Sequence, residues 1–349
     1  MTTKIPRARL RAGALALATS LPFALGAVGC AEGGNDVGTS GEQKTVEYPT
    51  SAIRIMAPAA PGGGWDLTAR TMQKALKDGG LSAQPVEVDN VTGAAGTVGL
   101  AQLVSKHNAD PHRLMITGLV MVGGVVTNKS AVNLTQTTPI ATLTAEAEVV
   151  VVPSGSKYKT LQDLVADFKA NPTAIKWGGG SAGGTDQILI GLLAKAAGVD
   201  PKQAKYIPYS GGGETKAALL SGDLGVGVSS VSEFKELVKS GQLRALAVSG
   251  ASGVDAGAGT PAPTIKDAGY PVELMNWRGV VAPPGLSDAQ RQAVVSMVDK
   301  LHSSPAWKDA LTQQGWDDFY KSGEEAKVFF DAETTRITAV LTEIGLAGA

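Results

Sequence analysis

Apolar residues recur along the chain with two periods, and segments of the two kinds alternate. Strand-like apolar runs lie at 53–56, 86–88, 114–117, 149–152, 175–177, 224–228 and 243–248. Between such runs the apolar positions return every three or four residues, as at Trp65, Ala69, Met72 and Leu76, which is the spacing of one helix face. Strands that alternate with helices of this length predict open parallel α/β sheets.

Several helix starts can be placed from capping residues. In a capping box, a Ser or Thr is followed three residues later by a side chain that reaches back to the start of the helix. The pairs with this spacing are Thr160 with Asp163, Ser287 with Gln290, and Ser322 with Glu325. We therefore predict that three helices begin at these places.

Three runs of three glycines, at 62–64, 178–180 and 211–213, each lead into a helix-like stretch. Glycine lets a ligand approach the main chain without meeting a Cβ atom. The N-terminus of a helix presents unpaired N–H groups and partial positive charge. Three such loops predict a small anion held largely by main-chain N–H groups. The acidic and hydroxyl residues that follow the runs are Asp66, Thr185, Asp186, Glu214 and Thr215.

The first thirty residues have the pattern of an export signal. Lys4, Arg7, Arg9 and Arg11 precede an apolar stretch at 14–28, which is shorter than the roughly 20 residues that span a bilayer. Small residues then precede Cys30, the one cysteine of the chain. We predict that 1–30 is a lipoprotein signal peptide ending at a lipidated Cys30. The alternative is ordinary cleavage nearby, which would leave a free thiol. The polar segment 31–49 is predicted to be a flexible tether.

Composition and charge narrow the range of functions. A length of 349 residues suggests two domains. The 31 basic and 32 acidic side chains give a net charge of −1, so nucleic acid is a poor partner. One cysteine and three scattered histidines supply no metal-ligand spacing. We expect no metal, no cofactor and no nucleic acid.

The segment 178–183 matches two enzyme motifs. As G-x-G-x-x-G it would bind a dinucleotide, but the acidic residue about twenty positions on, Asp200, precedes a proline in a loop. As G-x-S-x-G it would place Ser181 at a nucleophile elbow, and His302 is the one histidine that follows it. The alternative function is therefore a secreted serine esterase that uses Ser181 and His302. His302 equally fits a helix end, where a cation is favourable.

Four further side chains have two interpretations each. Asp66 could contact a ligand or bound water, or it could cap its helix. Trp277 could wall a pocket or lie in the core. Arg70 and Arg278 are candidate carboxylate clamps, although helical spacing places Arg70 on a solvated face.

An ordered set of glycine, proline and aromatic motifs resembles that of one receptor family. It includes Pro61-Gly62-Gly63 with Asp66, Asn90 with the glycines at 93–99, and Lys159-Thr160-Leu161. It continues through 178–186, 208–212, 222–224, 241–248, 263–269 and Trp277-Arg278-Gly279-Val280. These motifs span nearly all of the chain beyond the signal. They resemble the extracytoplasmic solute receptors of tripartite tricarboxylate transporters, also called Bug-type receptors.

The resemblance implies a type II periplasmic-binding-protein fold, which is an α/β architecture of two lobes with a ligand cleft between them. Lobe 1 would comprise 50–148 plus 273–349, and lobe 2 would comprise 149–272. Glycine loops of both lobes would hold a ligand carboxylate. The implied ligand-binding residues are Gly62, Gly63, Gly64, Trp65, Asp66, Gly180, Ser181, Thr185, Asp186, Tyr209 and Gly211.

The implied function is that of a non-catalytic receptor, a monomer anchored by lipid to the outer face of the membrane. It would capture a small organic acid of the tricarboxylate or dicarboxylate class and deliver it to integral membrane transporter subunits. Two positions depart from the family pattern. Trp65 stands where the family usually has a smaller residue, and Ser210 follows Tyr209 where a lysine is usual. The identity of the ligand is therefore not carried over.

Overall fold

The computed structural model describes residues 47–210 and 212–347. The predicted signal peptide with Cys30, the predicted tether up to residue 46, and Gly211 lie outside the described residues. None of the helices in the described ranges combines the length and the apolar character that crossing a bilayer requires.

Eleven strands and ten α-helices are found in the described residues. The strands are β1 (Ile53–Ala57), β2 (Val86–Asn90), β3 (Arg113–Gly118), β4 (Thr138–Ala145), β5 (Glu148–Pro153), β6 (Lys176–Gly179), β7 (Lys205–Pro208), β8 (Val226–Ser230), β9 (Leu243–Val248), β10 (Arg278–Ala282) and β11 (Asp317–Ser322). The helices are α1 (Gly64–Asp78), α2 (Thr97–Lys106), α3 (Leu119–Thr127), α4 (Leu161–Ala170), α5 (Thr185–Ala196), α6 (Gly212–Ser221), α7 (Val231–Lys239), α8 (Asp288–Ser303), α9 (Pro305–Gln314) and α10 (Gly323–Glu343).

The strands form two sheets, one in each lobe. The first sheet has six strands in the order β11-β4-β10-β3-β1-β2, and the second has five in the order β7-β6-β8-β5-β9. The chain leaves the first sheet between β4 and β5 and returns between β9 and β10. The two crossings pair with each other, because the main-chain N–H of Asn276 donates to the Glu146 carbonyl at 2.8 Å and the reverse bond measures 3.2 Å.

The prediction of parallel sheets is wrong, because both sheets are mixed. β1 is parallel to β2 and β3, and β6 is parallel to β7 and β8. In contrast, β10 is antiparallel to β3 and β4, and β5 is antiparallel to β8 and β9. The edge strand β11 is likewise antiparallel to β4. β5 and β10 directly follow a crossing between the sheets. Each begins near the crossing, whereas the strands on either side of it end there, so it must run in the opposite direction.

The predicted apolar faces and most of the predicted caps are confirmed. Trp65, Ala69, Met72 and Leu76 are all buried on α1. Capping boxes are present at the starts of α4 and α8. The third predicted box is wrong, because Ser322 precedes α10 but its side chain makes no capping hydrogen bond.

Candidate functional site

A cavity of about 750 Å³ opens between the two lobes. Its wall combines the starts of α1 and α5 with the loop before α6, together with Asn276 of the second crossing. The predicted site residues that line it are Gly63, Gly64, Trp65, Gly180, Ser181, Thr185, Asp186 and Tyr209. Gly62 and Asp66 are not among the lining residues, and Gly211 lies outside the described part of the chain.

The first glycine loop turns its acidic residue away from the cavity. The Asp66 carboxylate accepts hydrogen bonds from the Gly62 N–H at 2.8 Å, from Asn90 Nδ2 at 2.8 Å and from Arg70 Nε at 2.9 Å. Burial alone would raise the pKa of Asp66, but the bonds from Arg70, Gly62 and Asn90 hold it below its ordinary value. Asp66 therefore stabilises the turn before α1 rather than facing the cavity. It is the third residue of the helix, and Gly63 occupies the N-cap position.

The start of α1 presents donors to the cavity. The N–H groups of Gly64 and Trp65 belong to the first turn and so have no acceptor within the helix. Trp65 is 7% exposed, and its indole N–H has no hydrogen-bond partner among the described residues. Arg278 lies against the same turn, because a Cβ on Gly64 would be 2.8 Å from Arg278 Nη2. Main-chain, indole and guanidinium donors therefore converge at this end.

Arg278 is a nearly buried cation at the start of β10. Its side chain is 3% exposed and lines the cavity. Nη2 lies 3.5 Å from Glu146 Oε2 and 3.5 Å from Ser230 Oγ, distances that are long for hydrogen bonds. Burial raises the pKa of Glu146, and the positive charge of Arg278 opposes that rise without cancelling it. The guanidinium therefore retains the capacity to bind another acceptor.

The second glycine loop places an acidic residue in the wall. The Gly180 N–H donates to the Asp186 carboxylate, and the Gly183 N–H donates to Gln187 Oε1 at 2.8 Å. Thr185 Oγ1 lies 3.4 Å from Asn276 Oδ1 on the second crossing. Two amides of this loop are thus already bonded to side chains of α5. Ser181 and Thr185 line the cavity beside Asp186.

Asp186 forms a buried carboxyl pair with Glu148, the first residue of β5. Burial raises the pKa of Asp186 to about 6. Burial also raises the pKa of Glu148, and the neighbouring charge of Asp186 raises it further. Glu148 Oε1 accepts from Ser230 Oγ at 3.1 Å, and the Glu148 carboxyl group also bonds to that of Asp186. Two carboxyls this close in a dry site share one proton more readily than they both ionise.

Two more acidic residues lie beside the third loop, one on α6 and one on α7. Glu214 Oε2 accepts from the Ser210 N–H at 3.0 Å. Glu233 on α7 lines the cavity, and its carboxylate lies so close to Gly212 that no Cβ would fit there. Glu233 makes no hydrogen bond or ion pair with the described residues. Tyr209 lines the cavity with its N–H bonded to the Gly179 carbonyl at 3.0 Å.

The esterase constellation is not assembled. His302 lies in the last turn of α8. Its Nε2 atom lies 2.9 Å from Asp318 Oδ1, and its ring stacks on Tyr320 at 3.8 Å between centroids. Ser181 lines the cavity, whereas His302 does not. His302 therefore lies at a helix end, where a cation is favourable, which is the second of its two predicted roles. Within the described ranges, no group of three or more His, Cys, Asp or Glu side chains could hold a metal ion.

Sequence reasoning left several wall residues unassigned. Asn276, Ser229 and Glu233 line the cavity without standing in a glycine motif. Arg278 was one of two candidate clamps, and of these it alone lines the cavity. One signal for the buried acids was present, since Glu148 directly precedes a run of four valines and Glu146 stands two residues before it. Trp277 lies in the core, where its indole N–H donates to Glu333 at 2.7 Å.

Two α/β lobes with a cavity between them define the class of the periplasmic binding proteins. A family model described as the tripartite tricarboxylate transporter family receptor matches residues 68–346. The chain belongs to this family. It is 27% identical to protein BugT of Bordetella pertussis, over 85% of this chain and 90% of that protein.

Two solved structures show the same fold. The periplasmic binding protein BugD matches with a TM-score of 0.75 at 19% identity, covering 86% of this chain and 99% of that chain. R. palustris Rpa4515 with adipate matches with a TM-score of 0.76 at 23% identity, covering 86% of this chain and 99% of that chain. The family consists of extracytoplasmic substrate-binding receptors that work with membrane transporter components, and such receptors are generally not enzymes.

Proposed function

We propose that this chain captures a small organic carboxylate between its lobes, without chemical turnover, and delivers it to integral membrane subunits of a tripartite transporter. The observation that carries the proposal is the set of donors at the start of α1. The main-chain N–H groups of Gly64 and Trp65, which have no acceptor within the helix, the Trp65 indole and the Arg278 guanidinium all belong to residues that line one cavity. Such donors can replace water around a carboxylate. The adipate in the R. palustris structure supports the same class of ligand.

We infer that lobe 1 comprises 50–148 plus 273–349 and that lobe 2 comprises 149–272. The membership of the sheets supports these limits, because β5 to β9 form one sheet and the remaining strands form the other. A ligand that contacts both lobes stabilises the closed arrangement by the difference between its contacts in the two states. The paired crossings at Glu146 and Asn276 are the natural hinge.

We also infer that Cys30 is lipidated, that 31–49 tethers the receptor to the outer face of the membrane, and that the receptor is monomeric. The small residues before Cys30 and the polar composition of the tether support the anchor. In a labelling experiment with a radioactive fatty acid, the wild-type chain should take up label and Cys30→Ser should not. An unlabelled wild-type chain would refute the anchor. Light scattering of the chain beginning at residue 47 tests the monomer.

The main experiment is a melting-temperature screen against organic acids, with catalytic turnover of simple esters measured in parallel. A ligand at about 100 times its dissociation constant stabilises the folded state by about 2.7 kcal/mol, which is a shift of several degrees. We expect stabilisation by at least one carboxylate and no ester turnover. If no carboxylate shifts the melting temperature, the proposed function is wrong even though the family stands.

A further inference from the structure

The charges around the cavity do not suit a simple anion. Among the described lining residues, Asp186, Glu214 and Glu233 carry carboxyl groups, and Arg278 carries the one formal positive charge. Part of that positive charge is already directed at Glu146, 3.5 Å away. A ligand with only negative charge would therefore enter a wall in which acids outnumber bases, and like charges repel strongly when they are removed from water.

The acids are confined to one lobe. On lobe 1, Asp66 is turned out of the cavity and paired with Arg70 at 2.9 Å, so the start of α1 keeps its free donors. On lobe 2, Asp186 accepts the Gly180 N–H and Glu214 accepts the Ser210 N–H. These side chains neutralise the positive ends of α5 and α6. The charged groups of the described lining are therefore divided, with the guanidinium on lobe 1 and the carboxyl groups on lobe 2.

Two further groups distinguish the two walls. The Trp65 side chain lines the cavity at 7% exposure, and its indole N–H lacks an acceptor among the described residues. Glu148 is fully buried behind Asp186, and its carboxyl group bonds to that of Asp186. An acceptor on the ligand would satisfy the indole N–H, and the carboxyl pair places a second acid behind the lobe 2 wall.

We propose that the ligand is an aminocarboxylate whose carboxylate binds the lobe 1 donors and whose ammonium group binds the lobe 2 acids. Trp65, Gly64 and Arg278 receive the carboxylate. Asp186 and Glu233, which makes no hydrogen bond or ion pair with the described residues, receive the ammonium group. An ammonium group supplies three donors, no acceptor and a positive charge, which complements the carboxyl groups of this wall. This inference rests on the proposed function, because it assumes that the cavity is the ligand site.

The first experiment compares ligands that differ in one group. Titration calorimetry is run with succinate, glutarate and adipate, and with 3-aminopropanoate, 4-aminobutanoate and 5-aminopentanoate, in which an ammonium group replaces one carboxylate. Aspartate, glutamate and 2-aminoadipate add an α-ammonium group to the same diacids. We expect the tightest aminocarboxylate to bind at least tenfold more tightly than the diacid of the same chain length.

The second experiment removes one acid and keeps its shape. Glu233→Gln should raise the dissociation constant of that aminocarboxylate about tenfold, which is the typical loss for one hydrogen bond to a charged group. The diacid should bind equally well or more tightly. Glu236→Gln is the matched control, because Glu236 is exposed on the same helix and does not line the cavity. It should change neither constant.

The outcomes separate the two proposals. If diacids bind the wild-type chain more tightly than every aminocarboxylate, this inference is overturned and the proposed function stands. Equal losses of both ligand classes in Glu233→Gln would also overturn it. If butylamine, which has no carboxylate, binds as well as 4-aminobutanoate, the proposed function is wrong while the acidic subsite stands. If no member of the panel binds, both are overturned.

Discussion

Replacing Trp65 by phenylalanine should remove one donor from the cavity and leave the fold intact. The indole of Trp65 lines the cavity at 7% exposure. Its N–H has no partner in the described residues, so its loss leaves no protein acceptor unsatisfied. The ring also packs closely on Gly96, where an added Cβ would lie 2.6 Å from Trp65 Cζ3. The smaller phenyl ring leaves some space there, at a cost of about 1 kcal/mol.

The expected loss of affinity follows from the charge of the ligand. A hydrogen bond to a charged group is worth about 1.5–3 kcal/mol, and about 1.4 kcal/mol is tenfold in Kd. Trp65→Phe should therefore raise the Kd of the best carboxylate about tenfold to a hundredfold, measured by titration calorimetry. The melting temperature of the free protein should fall by only a few degrees.

Trp277→Phe is the matched control, because the same substitution removes an indole N–H that already has a partner. Trp277 is 2% exposed and donates to Glu333 Oε2 at 2.7 Å. Its loss weakens the bonding of a nearly buried carboxylate and should cost about 1–3 kcal/mol of unfolding free energy, with little change in Kd. If Trp65→Phe binds the ligand as tightly as the wild-type chain, the Trp65 indole does not contact the carboxylate and the assignment of lobe 1 is wrong.

Three further predictions concern stability. Gly123→Ala should lower the unfolding free energy by about 1–3 kcal/mol in denaturant titrations, because its Cβ would clash with the carbonyl oxygen of Gly183 in the second glycine loop; Gly155→Ala, with open space around it, should not. Thr160→Ala should cost about 1 kcal/mol, whereas Ser322→Ala should cost almost nothing, since only the first side chain caps its helix; equal losses would contradict the cap assignment. Because the pKa of Asp186 is raised from 3.8 to about 6 in the folded state, its contribution to stability is lost as the pH rises through about 6. Melts across that range should show a flatter pH dependence in Asp186→Asn, and an unchanged slope would mean that this carboxyl does not titrate there.

Local sequence determined the elements whose signal is periodic or chemical. The apolar face of α1 and the capping boxes of α4 and α8 were predicted correctly, because both depend on residues within a few positions of each other. The strand β9 was predicted with its observed limits, 243–248. The family motifs also predicted the two-lobed fold, which the family match and the similar structures confirm.

Elements that depend on distant partners were missed or misread. β11 contains Asp317, Asp318 and Lys321 and is mostly half-exposed, so it has no apolar pattern of its own. It becomes a strand because it pairs with β4 at the edge of the sheet. The direction of β5 and β10 depends on the crossings between the lobes, and hydrophobic periodicity carries no information about strand direction.

The sequence determined that glycine loops open onto helices and that acidic residues follow them, and this was enough to predict an anion site. It did not determine which acid lines the cavity. Asp66 and Asp186 both stand in the first turn of a helix and both accept a main-chain N–H from the preceding loop. Arg70 and Asn90 surround the first, whereas the buried Glu148 meets the second. Arg70 is on the same helix as Asp66, but Asn90 and Glu148 come from other strands, so only the tertiary structure decided the charge that each loop presents to the cavity.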